Sequence, residues 1–254
     1  MKTILKDLEF IFKKIFLNEK KLLKKRILRS IKNGYEKEIK VLSELVHKES
    51  DSIDVGVYRG VYSYELARLS NHTHSFEANP IIYKYLKKNL TQLINNMTLY
   101  DYALSNHSGE AKLRIPIRRK TIFKDQFEEK YHAGLSTIHD QNTFDSYTKF
   151  DEFTVTTKKI DDLKFVNKIG FIKIDVEGHE LKIIDGARET IKKNKPNLLI
   201  EIEEKHSKEK LNKSINYIKE LNYNAYTYRE NKLIKIEDFQ DIKDEINFIF
   251  KPIK

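Results

Sequence analysis

The sequence contains no cysteine, which excludes a disulfide framework, a thiolate zinc site and a cysteine nucleophile. A reducing compartment fits that absence, and the cytoplasm is the expected location. Long hydrophobic runs are lacking too. The longest near the start is Phe10, Ile11 and Phe12, set among Lys and Asp, so neither a secretory signal nor a membrane-spanning helix is expected. Only four prolines occur and they mark no interdomain linker; no internal repeat or low-complexity tract is present. The proline-aromatic motif or cysteine that marks base-flipping active sites is also missing, which counts against a nucleic-acid substrate.

What remains is enough for a large α/β domain with appendages. The chain has 254 residues, 39% of them hydrophobic, with 14 Tyr and 14 Phe, so a sizeable core can form and disorder is not expected. The net charge of +10 is concentrated at one end. Residues 1–32 hold eleven Lys or Arg against Asp7, Glu9 and Glu19, and so carry eight of the ten net positive charges. Ile4, Leu5, Leu8, Ile11, Phe12, Ile15 and Phe16, then Leu22, Leu23, Ile27, Leu28 and Ile31, recur at helical spacing. Residues 1–33 therefore read as a basic amphipathic helical arm. Either it lies on an anionic membrane surface or a partner, giving peripheral membrane contact through residues 1–32, or it packs its apolar face on the domain of residues 34–254.

Residues 52–60, SIDVGVYRG, read as a buried strand, a glycine turn and a helix start. Ile53 and Val55 supply the strand, Gly56 and Gly60 permit close backbone approach, and an apolar helical pattern runs over residues 61–69. The amide end of that helix can bind a carboxylate, and Asp54 ends the strand as a hydrogen-bond acceptor. Before it, Asn33 and Gly34 stop the arm, and residues 35–46 form a helix expected to cover one edge of a cofactor.

Residues 73–77 give a second strand and 81–90 a second helix that opens with Pro80. Glu77 ends that strand, where an acidic side chain can accept both hydroxyls of a ribose. Residues 97–100 form a third strand closed by Asp101, and the chain continues through a Ser108 and Gly109 turn into a hairpin arm. From residue 116 to 153 the composition turns polar and irregular, with Arg118, Arg119, Lys120 and HAGLSTIHD. Such an insertion is either a lid over the substrate or a surface excursion.

FIKIDVEGHE, residues 171–180, is the second informative stretch. An apolar strand closes on Asp175, Glu177 and His179; Gly178 allows the turn, and Leu181, Ile183, Ile184 and Ala187 begin a helix whose start Glu180 complements. His179 suits a general base, since an unperturbed imidazole titrates near neutrality. Lys173, inside the apolar strand, requires a carboxylate partner or a route to water. Residues 197–203 add a fifth strand carrying Glu201 and Glu203; a helix at 207–220 and strands at 222–228 and 246–250 finish the sheet, with a turn at Asn231 and Lys232.

Taken together, these stretches resemble the FkbM family of S-adenosylmethionine-dependent methyltransferases over roughly residues 34–250. DVGVYRGVYS is similar to the family's first motif, SFEANP to its acidic second, YALSNHSGEA to the segment after the third strand, KIDVEGHELKIIDGA to its most recognisable signature, and KPNLLIEIE to the strand after it. Where the family has a small residue followed by asparagine, this chain has Val57 and Tyr58.

The resemblance implies a Rossmann-like α/β fold with a seven-stranded, mostly parallel sheet and one antiparallel strand near an edge. S-adenosylmethionine would lie over the C-terminal strand ends. It implies that Asp54, Gly56, Tyr58 and Gly60 surround the methionine part, Glu77 the ribose, and Asp101 with Ala103 the adenine, with Asp175, Glu177 and His179 beside the reacting methyl. The resemblance implies methyl transfer to an oxygen nucleophile; the acceptor is expected to be a small-molecule or glycan hydroxyl that enters under residues 134–138 and gives its proton to His179 or Asp175.

Two rival activities fit less well. A nicotinamide dehydrogenase wants glycine where Asp54 stands. A metal-dependent variant could use Asp175, Glu177, His179 and Glu201, but their spacing is not diagnostic and no metal is expected. The rival outside catalysis is a binding protein that keeps the fold and docks through its basic arm.

Overall fold

The computed structural model describes residues 18–117, 133–138, 149–202 and 208–253. In chain order the strands are β1 (Asp51–Val55), β2 (Thr73–Phe76), β3 (Met97–Tyr100), β4 (Ala103–Leu104), β5 (Gly109–Pro116), β6 (Phe150–Lys158), β7 (Ile169–Ile174), β8 (Asn197–Glu201), β9 (Tyr223–Arg229), β10 (Lys232–Lys235) and β11 (Asn247–Pro252). Eight of them form one sheet in the order β10-β9-β11-β8-β7-β1-β2-β3, and β4-β6-β5 form a second, small sheet.

The middle of the large sheet is parallel. β1 pairs with β2 on one side and with β7 on the other, and β7 pairs with β8. Every residue of β1 and β7 is buried, as expected of strands covered on both faces. Strand order reverses between β1 and β7, so the loops leaving their C-terminal ends diverge and open a crevice there.

The sheet has one strand more than the seven expected. β11 runs antiparallel to β8, and β9 antiparallel to β11, which completes the expected seven with one reversed strand. The eighth is β10, joined to β9 by a hairpin whose two turn residues, Glu230 and Asn231, both have positive φ. The sequence marks that turn, but the four residues KLIK that follow are too short to announce a strand.

Ser108 and Gly109 do turn the chain, yet β4 and β5 are not hydrogen-bonded partners as a hairpin would require. β6 lies between them, parallel to β4 and antiparallel to β5. Residues 133–138 of the insertion are tied to this sheet through a bridge between Arg114 and Thr137. The rest of the insertion's polar stretch, including Arg118, Arg119 and Lys120, lies outside the described residues, as does Glu203.

Near the start of the described chain, the helix Glu19–Asn33 is capped by the Asn18 side chain and closed by Gly34 in the left-handed conformation. Its buried Leu23 and Ile27 share a core cluster with Val57, Val61, Ile82 and Leu90, each such side chain stabilising by about 1.5–3 kcal/mol. Over these residues the basic segment is packed on the domain; residues 1–17 lie outside the described part. The helix expected over residues 35–46 is a 3-10 turn, Lys37–Val41, running into the single α-turn Leu42–Leu45, because Glu36 is extended. Among the described residues no helix is long and apolar enough to cross a membrane.

Candidate active site

A cavity of about 280 Å³ opens at the C-terminal ends of β1, β2 and β7. One wall is apolar, built by Phe76, Ile82, Tyr102, Leu113 and Ile183; another carries the carboxyl groups of Glu36, Glu77, Asp175, Glu177 and Glu201. Asn79, Ser136, Thr137 and His179 complete the polar side.

The close approach of β1 to β7 depends on Gly56. Its φ is 83°, and a Cβ there would lie 1.9 Å from the carbonyl oxygen of Asp175, so no side chain fits whether or not a ligand is present. The next turn residues serve the cavity. Tyr58 is held in the left-handed region at φ 48°, its amide donating to Glu77 Oε2 at 2.9 Å. The other oxygen of Glu77 accepts the Asn79 amide at 2.9 Å. Burial outweighs these two bonds and pushes the Glu77 carboxyl up to about 7.

Lys173 finds the partner that its place in β7 requires. Its ammonium is 2.9 Å from Asp175 Oδ2, 3.7 Å from Asp54 Oδ1 and 3.2 Å from the Gly56 carbonyl, and it sits over the Tyr62 ring at 4.7 Å. Burial opposes its charge, but Asp175 and Asp54 together push its pKa up to about 12. Asp54 and Lys173 are direct cross-strand neighbours. Burial raises the Asp54 carboxyl above the ordinary aspartate range, opposed by Lys173 and by Ser63, whose hydroxyl donates to it at 2.5 Å. Glu36, brought to the rim by its extended backbone, accepts the Tyr62 hydroxyl at 3.4 Å, and burial raises its carboxyl as well.

His179 is 5% exposed and is held by the Ser105 hydroxyl, 2.9 Å from its Nε2. Ser105 reaches it because Gly186 has no side chain: a Cβ at that glycine would stand 2.0 Å from the Ser105 carbonyl oxygen. The Thr137 hydroxyl donates to the Glu177 carbonyl at 2.5 Å and ties the insertion to the turn that carries His179.

A family model described as the methyltransferase FkbM domain matches residues 54–244. The chain belongs to the FkbM methyltransferase family. Among solved structures it is similar to methyltransferase FkbM from Methylobacillus flagellatus KT, at 17% identity and a TM-score of 0.51, over 80% of this chain and 44% of that one. It thus spans less than half of that relative's length. An rRNA methylase from Streptococcus thermophilus aligns at 12% identity and a TM-score of 0.46, over 87% of this chain and 96% of the other. A SAM-dependent O-methyltransferase from Thermotoga maritima aligns at 14% and 0.45, over 90% and 72%. No curated protein sequence matches.

The cofactor of this FkbM methyltransferase is S-adenosylmethionine, and the cavity fits it. The carboxyl wall suits a cation and a diol, and the apolar wall suits a purine. When bound, the sulfonium makes its methyl group electrophilic, so the protein's own task is alignment and removal of a proton.

Of the residues singled out in the sequence, Gly56, Tyr58, Glu77, Ala103, Asp175, Glu177 and His179 line the cavity. Three others are placed differently. Asp54 is fully buried behind the wall against Lys173 and Ser63, so it organises the turn and presents no oxygen to the cavity. Gly60 starts the helix Val61–Leu69 in the left-handed conformation and packs on Leu90. Asp101 is exposed and outside the lining, where Tyr102 takes its place. Glu36, Asn79, Tyr102, Ser105 and Thr137 were not singled out as site residues in the sequence. Asn79 stood in SFEANP, in an N-cap position before Pro80; Tyr102 and Ser105 stood in YALSNHSGEA and Thr137 in HAGLSTIHD, so the stretches were marked and the individual side chains were not.

Proposed function

We propose that this methyltransferase transfers the methyl group to a hydroxyl oxygen of a sugar or glycoconjugate. The observation that carries the reading is the polar side of the cavity. Asn79, Ser136, Thr137, Glu177 and Glu201 line it together, and Asn79 Nδ2 already donates to the Ser136 hydroxyl at 2.9 Å. Such a surface of paired donors and acceptors suits a polyhydroxyl ligand, and residues 133–138 stand at the side from which it would enter.

In this reading Glu77 accepts the ribose hydroxyls, and Gly56 and Tyr58 border the methionine end. Asp175, held by Lys173, orients the acceptor, and His179, steadied by Ser105, takes the hydroxyl proton. Asp175→Asn and His179→Ala should each lower turnover by about 100-fold or more on any acceptor found in a panel of sugar hydroxyls, with S-adenosylhomocysteine affinity kept. Full activity in both variants, or methyl transfer to nitrogen in the product, would reject it.

A further inference from the structure

A second cavity, about 270 Å³, lies between the helices Glu19–Asn33 and Val61–Leu69, beside the loop that leaves β1. Among the described residues of its lining, every ionisable side chain apart from tyrosines is an arginine: Arg26, Arg29 and Arg59. Its floor is the buried pair Leu23 and Ile27, and Tyr35, 71% exposed, stands at its edge. Lysines of the same helix, Lys24 and Lys25, are exposed and outside the lining. On this basic helix Arg26, half-buried, and Arg29, exposed, line the cavity and these two lysines do not; Arg59 is likewise exposed. Planar guanidinium groups bind phosphate oxygens in pairs where an ammonium acts as a point charge.

The cavity adjoins the reaction site through two consecutive residues. Tyr58 lines the first cavity and Arg59 the second, with the Arg59 guanidinium 5.0 Å over the Tyr58 ring. A ligand spanning that step would place an anionic group among the arginines and another part beside Tyr58.

We propose that the second cavity is a phosphate subsite for the acceptor. It holds a phosphate or diphosphate carried by the acceptor, while the hydroxyl to be methylated reaches past Tyr58. This rests on the reading of the first cavity as a hydroxyl-methylating site, and it narrows the acceptor to a phosphate-bearing one.

Calorimetry on the full chain with sodium pyrophosphate tests it, with S-adenosylhomocysteine titrated separately into the same samples. One pyrophosphate should bind per chain; Arg26→Gln, Arg29→Gln and Arg59→Gln should each weaken it about tenfold, and the double variant Lys24→Gln/Lys25→Gln should not. Flotation with phosphatidylglycerol vesicles then separates the sources. Vesicle binding lost with pyrophosphate binding in the arginine variants places the phosphate on a lipid carrier, and pyrophosphate binding alone places it on a soluble acceptor. Absence of pyrophosphate binding overturns the subsite, as does equal weakening by the lysine variant. Vesicle binding without pyrophosphate binding also overturns it and makes the arginines a membrane-facing surface. Failure of S-adenosylhomocysteine alone to bind would count against the first cavity and leave the subsite standing.

Discussion

Affinity for the cofactor product should depend on pH through Glu77. Its carboxyl is buried and pushed up to about 7 from 4.5, which corresponds to about 3 kcal/mol against the ionised form. Two ribose hydroxyls donating to an ionised carboxylate contribute about 1.5–3 kcal/mol each, so the ligand can offset that cost only by selecting the ionised state. About one-tenth of the protein is in that state at pH 6 and about nine-tenths at pH 8, so the apparent Kd should tighten about tenfold across that range. Calorimetric titration of S-adenosylhomocysteine at pH 6, 7 and 8, at fixed ionic strength, measures this. Glu77→Gln should bind more weakly at pH 8 and show no slope, whereas His179→Ala should keep the slope. A flat wild-type profile, or a slope that survives in Glu77→Gln, would refute the assignment of Glu77 to the ribose.

Gly56→Ala should cost at least about 3 kcal/mol of stability, read by denaturant unfolding, because its Cβ would meet the Asp175 carbonyl at 1.9 Å in a left-handed backbone; a loss under 1 kcal/mol, on the order of a surface change, would show that the two strands can separate cheaply. Glu180→Gln tests linkage. Burial pushes the Glu180 carboxyl up to about 8, so the folded protein holds a proton that the unfolded chain releases above about 4.5, and stability falls as pH rises from there to 8. The variant keeps an acceptor for the Gly178 amide and should gain on wild type as pH rises, by roughly 5 kcal/mol at most; a constant difference from pH 4.5 to 8 would contradict it. Tyr58→Asn removes an aromatic ring but places at φ 48° a residue that tolerates the left-handed region, worth about 1–2 kcal/mol. The net loss by thermal unfolding should stay below the 3–5 kcal/mol typical of deleting a packed aromatic.

The strands that end at the site were legible because their apolar runs stop at carboxylates and glycines, as β1 does at Gly56 and β7 before Asp175. Which carboxylates reach the cavity was legible only in part: Glu77, Asp175 and Glu177 line it, whereas Asp54 and Asp101 do not. Asp54 and Val55 are adjacent in a strand buried on both faces, so pattern alone cannot say which side chain turns to the ligand and which to the helix above. Asp54 turned to Ser63 and Lys173. The Lys173 partner was hidden for a related reason: β1 and β7 are neighbours in space but 119 positions apart at that pair, and nothing local records the register. Glu36 escaped notice because a helix was expected where the backbone is extended. Glycine was the opposite case. Gly56 announced itself in the motif, but the structure gives it a steric reason in the Asp175 carbonyl that stands apart from any cofactor.

The charge arrangement at the strand ends has a direction. Glu36, Glu77, Asp175, Glu177 and Glu201 surround one cavity, and the buried Lys173 ammonium is already engaged by Asp54 and Asp175. Burial raises the carboxyls of Glu36 and Glu77, so the wall carries less negative charge than its composition suggests. A cation in the cavity changes that balance, because it stabilises the ionised form of every carboxyl it faces. A cationic occupant is therefore bound by a wall that ionises around it, and a neutral one by a wall that stays partly protonated. The same carboxyls would hold a cationic cofactor more tightly than its uncharged product. On that logic Lys173 is best placed where it is, behind Asp175 and away from the cavity, fixing one carboxylate without cancelling the field of the other four.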